Sequence, residues 1–447
     1  MESKRGKFGT WLRNSITARM LIVGFLLIVL LIPLEFVKSL IAERSFRQAE
    51  VVREINSKWG NEVIVSGPII KVPYKTFKSV RVYEEDTKTY KTTNEETIKY
   101  AYFFPDVLDI TSEVTTQERN RSIYESVVYT ASMEVKGNFP AIDFATTDIA
   151  SEHIIWDKIT VLIKTSNLKG IRNTPVVYMQ EQALSMTPQY ATDYLNTIQS
   201  GYIEGLSEAT KSIPFSFHLE INGSERLQFI PIGKETTAQM NSNWHSPSFD
   251  GNFLPDSDSK TISSEGFSAA WKVLQINRQF EQAFFGHLPD LKEYAFGTTL
   301  VIPVDEYQKS ERTAKYGFMV IGITLLVFLL IQLVSKIYIH PFQYVMIGIA
   351  LVMFYTLLLS ISEHSTFFKA YLIAALSVLA LITVYSRAIL KGFKFPLLIG
   401  TSLASLYSFI YVIIQLENYA LLAGSIGLFV ILAIIMFASR KIDWGNE

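Results

Sequence analysis

Cysteine is absent from all 447 residues of the sequence. Without thiols the chain can form no disulfide, no thiolate metal site and no cysteine nucleophile. Any large exported domain must therefore be stabilised by its own hydrophobic core, which a region of this size can supply.

Charged side chains are also scarce. They make up 19% of the residues, against 49% apolar residues, whereas soluble domains usually carry about 25% charge. This balance is typical of a membrane protein. The formal net charge of -1 provides no basic field, so no nucleic-acid partner is expected.

Short catalytic motifs are missing as well. The sequence contains no G-x-x-x-x-G-K-[ST], G-x-G-x-x-G, G-x-S-x-G or H-E-x-x-H, which are the signatures of phosphate binding, dinucleotide binding, serine hydrolysis and zinc hydrolysis. Acidic residues are plentiful between 40 and 311, but their spacing does not indicate a glycosidase pair. These absences make an enzyme less expected without excluding one, and no cofactor is expected.

Long uncharged segments are abundant. At 1.5 Å per residue, about 20 apolar residues cross a hydrocarbon core of about 30 Å. Six segments predict membrane spans: Met20 to Leu34, Tyr316 to Ser335, Pro341 to Ile361, Ala370 to Tyr385, Phe395 to Leu416 and Tyr419 to Ala438.

The first segment follows a basic stretch, so a cleaved signal peptide is the competing interpretation. No small-x-small cleavage site follows it, and the sequence continues into an amphipathic pattern. We therefore predict an uncleaved membrane anchor, in which Pro33 is tolerated. A helical lead-in from Ile41 to Trp59 is expected after it.

Basic residues indicate the orientation of the spans. If the N-terminus is cytoplasmic, Lys and Arg concentrate on the inner side, whereas the short outer loops hold Glu363, Lys369 and Glu417. The inner segments hold Lys4, Arg5, Lys7, Arg13, Arg19, Lys336, Arg387, Lys391, Lys394, Arg440 and Lys441. Both termini are thus predicted to be cytoplasmic, and residues 40–311 to lie outside.

Residues 40–311 are predicted to form β structure, because apolar or alternating runs of strand length are separated by turn signals. Asn222-Gly223 predicts a hairpin between two of these runs, and Thr187 to Lys211 predicts either a short helix pair or a long irregular insertion. The region is predicted to form a mainly antiparallel β domain, with two sub-domains as the alternative. The expected fold is an integral membrane α-helical bundle of 1 + 5 transmembrane helices, with a large mainly antiparallel β extracytoplasmic domain. The boundaries are 1–39, 40–311 and 312–447.

Small residues recur at a spacing of four in the late spans, at Gly400 and Ala404 and at Ala423 and Gly427. Such pairs permit close helix approach. Packing within one bundle is the favoured interpretation, and a dimer interface is the alternative.

The stretch from His340 to Phe367, which contains the span Pro341 to Ile361, ends in a polar cluster that includes Glu363 and His364. Helical geometry places Tyr344, Gly348, Tyr355 and Ser362 near one stripe, with Thr356, Ser360 and Glu363 on a neighbouring one. A carboxylate and an imidazole at a membrane boundary could relay protons or bind a cation. A helix end at the water interface is the simpler interpretation. The candidate intramembrane polar residues are Tyr344, Tyr355, Glu363 and His364.

A second candidate site is an aromatic loop from Ser242 to Pro255. Its rings could line an exposed binding site with the imidazole as polar handle, or they could pin a loop that closes the β domain. The candidate binding residues are Trp244, His245, Pro247, Phe249 and Phe253. A metal site from His245, Asp250, Asp256 and Asp258 is disfavoured, because no second His stands at ligand spacing; no metal is expected.

Long blocks of the sequence resemble a known family. HPFQYVMIGIALVMFYTLLLSISEH (340–364) and SNWHSPSFDGNFLP (242–255) resemble the signatures of the CreD family of inner membrane proteins, known as cell envelope integrity proteins. Shorter matches lie at 66–74, 121–126, 305–317 and 440–444, in the family's order. They cover nearly the whole chain, and blocks of this length are more specific than short catalytic motifs.

The resemblance implies a multi-pass protein of the bacterial inner membrane, with the large domain in the periplasm and a role in envelope integrity and stress response. Its expected partners are the lipid bilayer and an envelope polymer or envelope protein. A non-enzymatic binding or scaffold role is the first interpretation. A transporter, or an enzyme acting on a lipid-linked substrate through the polar face near Glu363, is the alternative. The sequence leaves the oligomeric state open.

Overall fold

The computed structural model describes residues 15–84, 89–145, 147, 149–190, 195–300, 306–390, 392–416 and 419–440. The chain forms two compact units. Unit 1 comprises residues 1–50 and 304–447, and unit 2 comprises residues 51–303.

The helices belong mainly to unit 1. They are α1 (Ile16–Trp59), α2 (Glu306–Lys315), α3 (Gly317–Ser335), α4 (Pro341–Ser362), α5 (Phe367–Ile389), α6 (Lys394–Gln415) and α7 (Ala420–Ser439). All except α2 are long and apolar enough to cross a membrane. This confirms the six predicted spans in their 1 + 5 arrangement. The predicted lead-in is also helical, because α1 continues without a break to Trp59.

Glycines let the helices of unit 1 approach one another closely. A Cβ added at Gly348 of α4 would lie 2.1 Å from a δ-carbon of Leu30 in α1, and one at Gly317 would lie 2.7 Å from Leu34. Two leucines, one helical turn apart on α1, therefore pack where α4 and α3 have no side chain.

The small residues of the late spans also contact neighbours within the unit. A Cβ at Gly400 in α6 would lie 2.9 Å from the hydroxyl of Thr383 in α5, and one at Gly427 in α7 would meet the ring of Phe409 in α6. These contacts agree with packing inside one bundle, which was the favoured interpretation.

The described residues of unit 2 form sixteen strands. They are β1 (Val63–Glu84), β2 (Thr89–Phe103), β3 (Val107–Arg121), β4 (Tyr124–Pro140), β5 (Thr160–Thr165), β6 (Val176–Met179), β7 (Gln182–Gln189), β8 (Asn196–Ser200), β9 (Ser212–Ser224), β10 (Arg226–Phe229), β11 (Glu235–Ser242), β12 (Pro247–Gly251), β13 (Lys260–Ser263), β14 (Gly266–Leu274), β15 (Ala283–Phe285) and β16 (Phe296–Leu300).

The strands pair in the order β12-β16-β10-β1-β5-β8-β7-β6-β9-β4-β3-β11-β14-β13. Outside this order, β2 pairs with β1, and β15 pairs with β2. Nearly all neighbours are antiparallel; β1 with β10 and β3 with β11 are parallel. The predicted mainly antiparallel β domain is confirmed. One continuous hydrophobic core fills unit 2, as a chain without disulfides requires.

The predicted hairpin at Asn222-Gly223 is wrong. Both residues lie inside β9, where they pair with Thr130 and Tyr129 of β4, and β10 pairs with β1 and β16 instead of β9. Gly223 is required by packing, since a Cβ there would lie 2.3 Å from the hydroxyl of Tyr129. The chain turns later, at Glu225, whose φ is +61°.

The interpretation of Thr187 to Lys211 as a helix pair is also wrong. β7 and β8 form an antiparallel pair that places Thr187 opposite Gln199, and β8 continues the sheet by pairing with β5. The pairing of β7 and β8 within the sheet thus decides the conformation of residues 187–200, whatever conformation the segment would prefer in isolation. Residues 201–211 contain no long element.

Several residues used in the orientation argument lie outside the described part of the chain. They are Lys4, Arg5, Lys7, Arg13, Lys391, Glu417 and Lys441.

Candidate functional site

In the aromatic loop of the second candidate site, Trp244 belongs to the core of unit 2, and Phe249 and Phe253 pack against that core. Trp244 is 5% exposed, and its indole N–H donates to the Ser246 carbonyl at 3.0 Å. Phe249 meets the rings of Phe267 and Trp271 edge-on at 5.7 Å. This geometry agrees with the structural alternative, in which the rings pin the loop.

The remaining residues of this loop are dispersed. Pro247 begins β12 and pairs with Leu300 of β16, and Phe253 meets Phe296 at 6.1 Å. His245 is exposed beside Trp244. Of the five candidate residues, His245 is exposed, Trp244 is buried and the other three are half-buried.

The acids near the loop are not arranged around an ion. Asp250 accepts hydrogen bonds from Gln228 and Thr299 and pairs with Arg226 at 3.2 Å, whereas Asp256 and Asp258 are exposed. Across the described residues, no group of three or more His, Asp or Glu is placed to hold a metal.

The first candidate site lies at the C-terminal end of α4. The Tyr307 hydroxyl of α2 donates to the Glu363 carboxylate at 3.2 Å, and the Arg44 guanidinium lies 3.7 Å away. The Glu363 side chain is 15% exposed, but His364 is exposed to solvent. The two adjacent side chains therefore have different surroundings, and Glu363 is instead connected to α1 and α2.

The polar stripe along α4 faces the bundle. Tyr344, Gly348, Tyr355 and Ser362 are all buried, and the Tyr344 hydroxyl donates to the Gln332 side chain at 2.7 Å. In the neighbouring stripe Ser360 is exposed, and Thr356 and Glu363 are half-buried.

A different polar surface lies on unit 2. Six adjacent strands, β6, β9, β4, β3, β11 and β14, each place one side chain at the same level on the outer face of the sheet. We call these residues the polar row. In order they are Tyr178, Ser216, Lys136, Asp109, Thr237 and Lys272.

The register makes this row continuous. Each residue is the direct cross-strand partner of the next, and alternation along each strand directs the intervening residues into the core. Five steps of about 4.8 Å give a row about 24 Å long, which follows the twist of the sheet. None of the six side chains is fully buried.

Two surface depressions lie along the polar row. One, of about 510 Å³, is lined by Tyr178 and Ser216 together with Gln180 and Glu181 from the tip of the β6–β7 hairpin, and by the apolar residues Met179, Pro214 and Phe215. The other, of about 370 Å³, is lined by Asp109, Thr237 and Lys272 together with Thr111 and Gln239 one level along, and by Asp256 and Ser259 from the chain before β13.

Side chains on this face are held by one another. Thr237 donates to Asp109, and Asn241 donates to Glu113 at 2.6 Å. Lys136 donates to Glu134 at 2.9 Å, and this bond lowers the pKa of the Glu134 carboxyl. The face thus presents fixed polar groups of both charges.

The sequence carried a signal for this surface. In β3 the residues Asp109, Thr111 and Glu113 alternate with buried Leu108 and Ile110, which is the pattern of a strand with one solvated face. In β11 the buried positions are Thr236, Ala238 and Met240. They are only weakly hydrophobic, so the alternation there is faint.

Comparison with known proteins adds a relationship over the whole chain. The sequence profile of a family described as "Inner membrane protein CreD" matches residues 15–445. The protein named "Inner membrane protein CreD" of Escherichia coli strain K12 is 28% identical over 422 residues, which cover 93% of this chain and 91% of that protein.

Proposed function

The chain belongs to the CreD family of inner membrane proteins, and from this premise we propose that unit 2 lies in the periplasm and binds a component of the cell envelope. The protein contributes to envelope integrity through this binding, without catalysing a reaction. The polar row, with its two depressions, is the observation that carries the proposal. The apolar helices of unit 1 contact the bilayer and anchor the chain in it.

Three features support a binding role over a catalytic one. The depressions are lined by hydroxyl, amide and charged side chains together with apolar ones such as Phe215 and Trp271. Most of these residues lie on regular strands, which are rigid supports for recognition. Asp109 is already hydrogen-bonded to Thr237, and Glu134 to Lys136. The pKa of Glu134 is lowered, whereas a general acid needs a raised one.

Labelling of introduced cysteines tests the location, because the natural chain has none. Tyr190 on unit 2 is 97% exposed, and Phe393 between α5 and α6 is 67% exposed. Each residue is replaced by Cys in a separate variant, Tyr190→Cys and Phe393→Cys. In cells with a permeabilised outer membrane, an impermeant maleimide should label position 190 and leave position 393 unlabelled. Lysis should expose both. Labelling of position 190 only after lysis would refute the proposal.

A second candidate function places transport or lipid-linked chemistry at Glu363. One observation favours it: the hydroxyls of Tyr355 and Tyr407 are buried in unit 1 and have no hydrogen-bond partner within the described residues. Unsatisfied hydroxyls are costly inside a membrane protein, so these two could contact a polar group that enters the bundle.

Glu363→Gln distinguishes the two functions. If binding by unit 2 carries the function, this variant should preserve resistance to envelope stress and lose at most about 1 kcal/mol of stability, because the pair with half-exposed Arg44 is weak and Gln can still accept from Tyr307. His364→Ala is the matched control at an exposed neighbour. Growth under detergent stress is the measurement; sensitivity of Glu363→Gln alone would favour the second function.

A further inference from the structure

We propose that the hydroxyls of Tyr355, Tyr371 and Tyr407 form a binding site for one neutral oxygen atom inside unit 1. The oxygen belongs to a water molecule or to a carbonyl or hydroxyl group of a membrane lipid, since these offer the same hydrogen-bonding chemistry. The inference concerns unit 1 alone, so it does not depend on the binding role proposed for unit 2.

Three helices bring these tyrosines to one place. Tyr355 lies on α4, Tyr371 on α5 and Tyr407 on α6. The ring of Phe354 contacts all three rings, with centroids 4.9, 5.4 and 4.5 Å away in that order. The three hydroxyls also interact electrostatically with one another. They are therefore neighbours, as a shared partner requires.

Two of the three hydroxyls have unused hydrogen-bonding capacity. Tyr355 is 1% exposed and Tyr407 is 3% exposed, and neither hydroxyl has a partner within the described residues. The Tyr371 hydroxyl donates to the Tyr407 carbonyl at 2.7 Å, and its oxygen can still accept a hydrogen bond. An unpaired hydroxyl is costly in an apolar interior, so a further group is expected to bond to both Tyr355 and Tyr407.

The surroundings favour a small neutral group. Among the described residues, the ring and hydrogen-bond partners of these tyrosines are all uncharged, so an ion would have no counter-charge there. Rings at the distances seen around Phe354 are in contact, which leaves no space for a further ring between them. A single oxygen can accept from both Tyr355 and Tyr407, and a water molecule can also donate to Tyr371.

Along α4 the site is closed in the direction of His340. Gly348 lies two helical turns from Tyr355, and the side chain of Leu30 packs beside it, where an added Cβ would lie 2.1 Å from a δ-carbon. A file of water molecules cannot continue along α4 past this contact. The geometry therefore favours a group that is held at the tyrosines over one that is passed along the helix.

The two sources of the oxygen differ in how they reach the site. A lipid group would enter from the side, between α5 and α6, where Tyr411 is half-buried and Phe368 is 54% exposed. The Tyr411 ring lies 5.2 Å from the ring of Tyr371, so this side leads directly to the site. A water molecule needs no opening of that size.

Thermal unfolding of the full-length protein tests the inference, in detergent that contains phosphatidylethanolamine and with the helical circular dichroism signal as readout. Tyr355→Phe and Tyr407→Phe each remove a hydroxyl and keep the ring. If the oxygen is bound, each variant should lower the melting temperature by about 2–4 °C, as expected for one lost hydrogen bond in a unit of this size. If the hydroxyls are unpaired, their removal should raise it. Failure of either variant to lower the melting temperature would overturn the inference.

Two further variants calibrate this result. Tyr371→Phe removes the hydrogen bond to the Tyr407 carbonyl, so its decrease gives the size of one lost bond at the same place. The double variant Tyr355→Phe with Tyr407→Phe should lose less than the sum of the single decreases, because both hydroxyls bind the same oxygen. Additive decreases would show that the two hydroxyls bind separate groups, which contradicts a single shared site.

Removal of lipid distinguishes the two sources. If water supplies the oxygen, the difference between wild type and Tyr355→Phe should be the same in lipid-free detergent. If a lipid supplies it, the decrease should appear only after phosphatidylethanolamine is added back.

Discussion

Gly348→Leu is expected to destabilise unit 1 by about 3 kcal/mol, the upper part of the usual range for overpacking. A Cβ at this position would lie 2.1 Å and 2.7 Å from the δ-carbons of Leu30 and 2.9 Å from its γ-carbon. Leu30 is 3% exposed, so its side chain has little space into which it can move. The added isobutyl group should therefore separate α1 from α4. Thermal unfolding in detergent, followed by the helical circular dichroism signal, measures the loss.

The chain offers a matched control on α1 itself. Gly24 is also a glycine in a membrane-spanning helix, but a Cβ there would meet nothing within 4 Å. Gly24→Leu should therefore leave the melting temperature nearly unchanged. The double variant Gly348→Leu with Leu30→Ala should recover part of the loss, because the shortened side chain vacates the contact. If the Gly24 and Gly348 variants melt alike, close packing between α1 and α4 is not what stabilises the bundle.

These contacts show which features of unit 1 can be predicted from the sequence alone and which cannot. Six uncharged segments of sufficient length identify six spans, because a bilayer imposes one length on every crossing helix. The stripe containing Tyr344, Gly348 and Tyr355 also identifies the face of α4 that packs inward. The partner of Gly348 could not be predicted, since Leu30 lies more than 300 residues away and resembles the other leucines of its span. Pairings of that kind depend on tertiary geometry.

Unit 2 shows the same limit for strands. Strongly apolar runs mark β4, β5, β9 and β10, whereas β2 is largely polar and β11 alternates only faintly, so the hydrophobic pattern does not identify these two strands. Asn222-Gly223 has the composition of a two-residue hairpin turn, but the ladder with β4 continues through it. The polar row could not be predicted for the same reason, because it requires β3, β11 and β14 to be adjacent, and this adjacency is not visible in the sequence.

Arg278 connects three points where the chain passes between parts of the sheet. It lies between β14 and β15, and its guanidinium donates to the carbonyls of Ile232 and Gly233, in the link from β10 to β11, at 3.1 Å and 3.0 Å. It also donates to the side chain of Gln282. Gln282 in turn donates to the carbonyl of Pro105, in the link from β2 to β3, at 2.6 Å. One cation thus holds three connections together.

Removal of this cation should have the largest effect in unit 2. Arg278 is 5% exposed and stacks on the Phe280 ring at 3.9 Å. Burial lowers the pKa of Arg278 to about 10, so the group stays charged at neutral pH and satisfies several carbonyls at once. Arg278→Leu leaves those acceptors buried without a donor, at about 1–3 kcal/mol each. We expect a total loss of about 3–5 kcal/mol after relaxation.

Urea unfolding followed by tryptophan fluorescence measures this loss selectively. Four of the six tryptophans, Trp59, Trp156, Trp244 and Trp271, lie in unit 2. Lys75→Ala is the matched control, since it removes a cation whose pair with Glu96 is largely exposed, and such pairs contribute about 0–1 kcal/mol. Arg278→Lys should fall between the two, because an ammonium keeps the charge but cannot reproduce the planar set of donors. Equal midpoints for Arg278→Leu and Lys75→Ala would show that the three connections are held by the surrounding core, which includes Phe104 and Phe296, and not by the guanidinium.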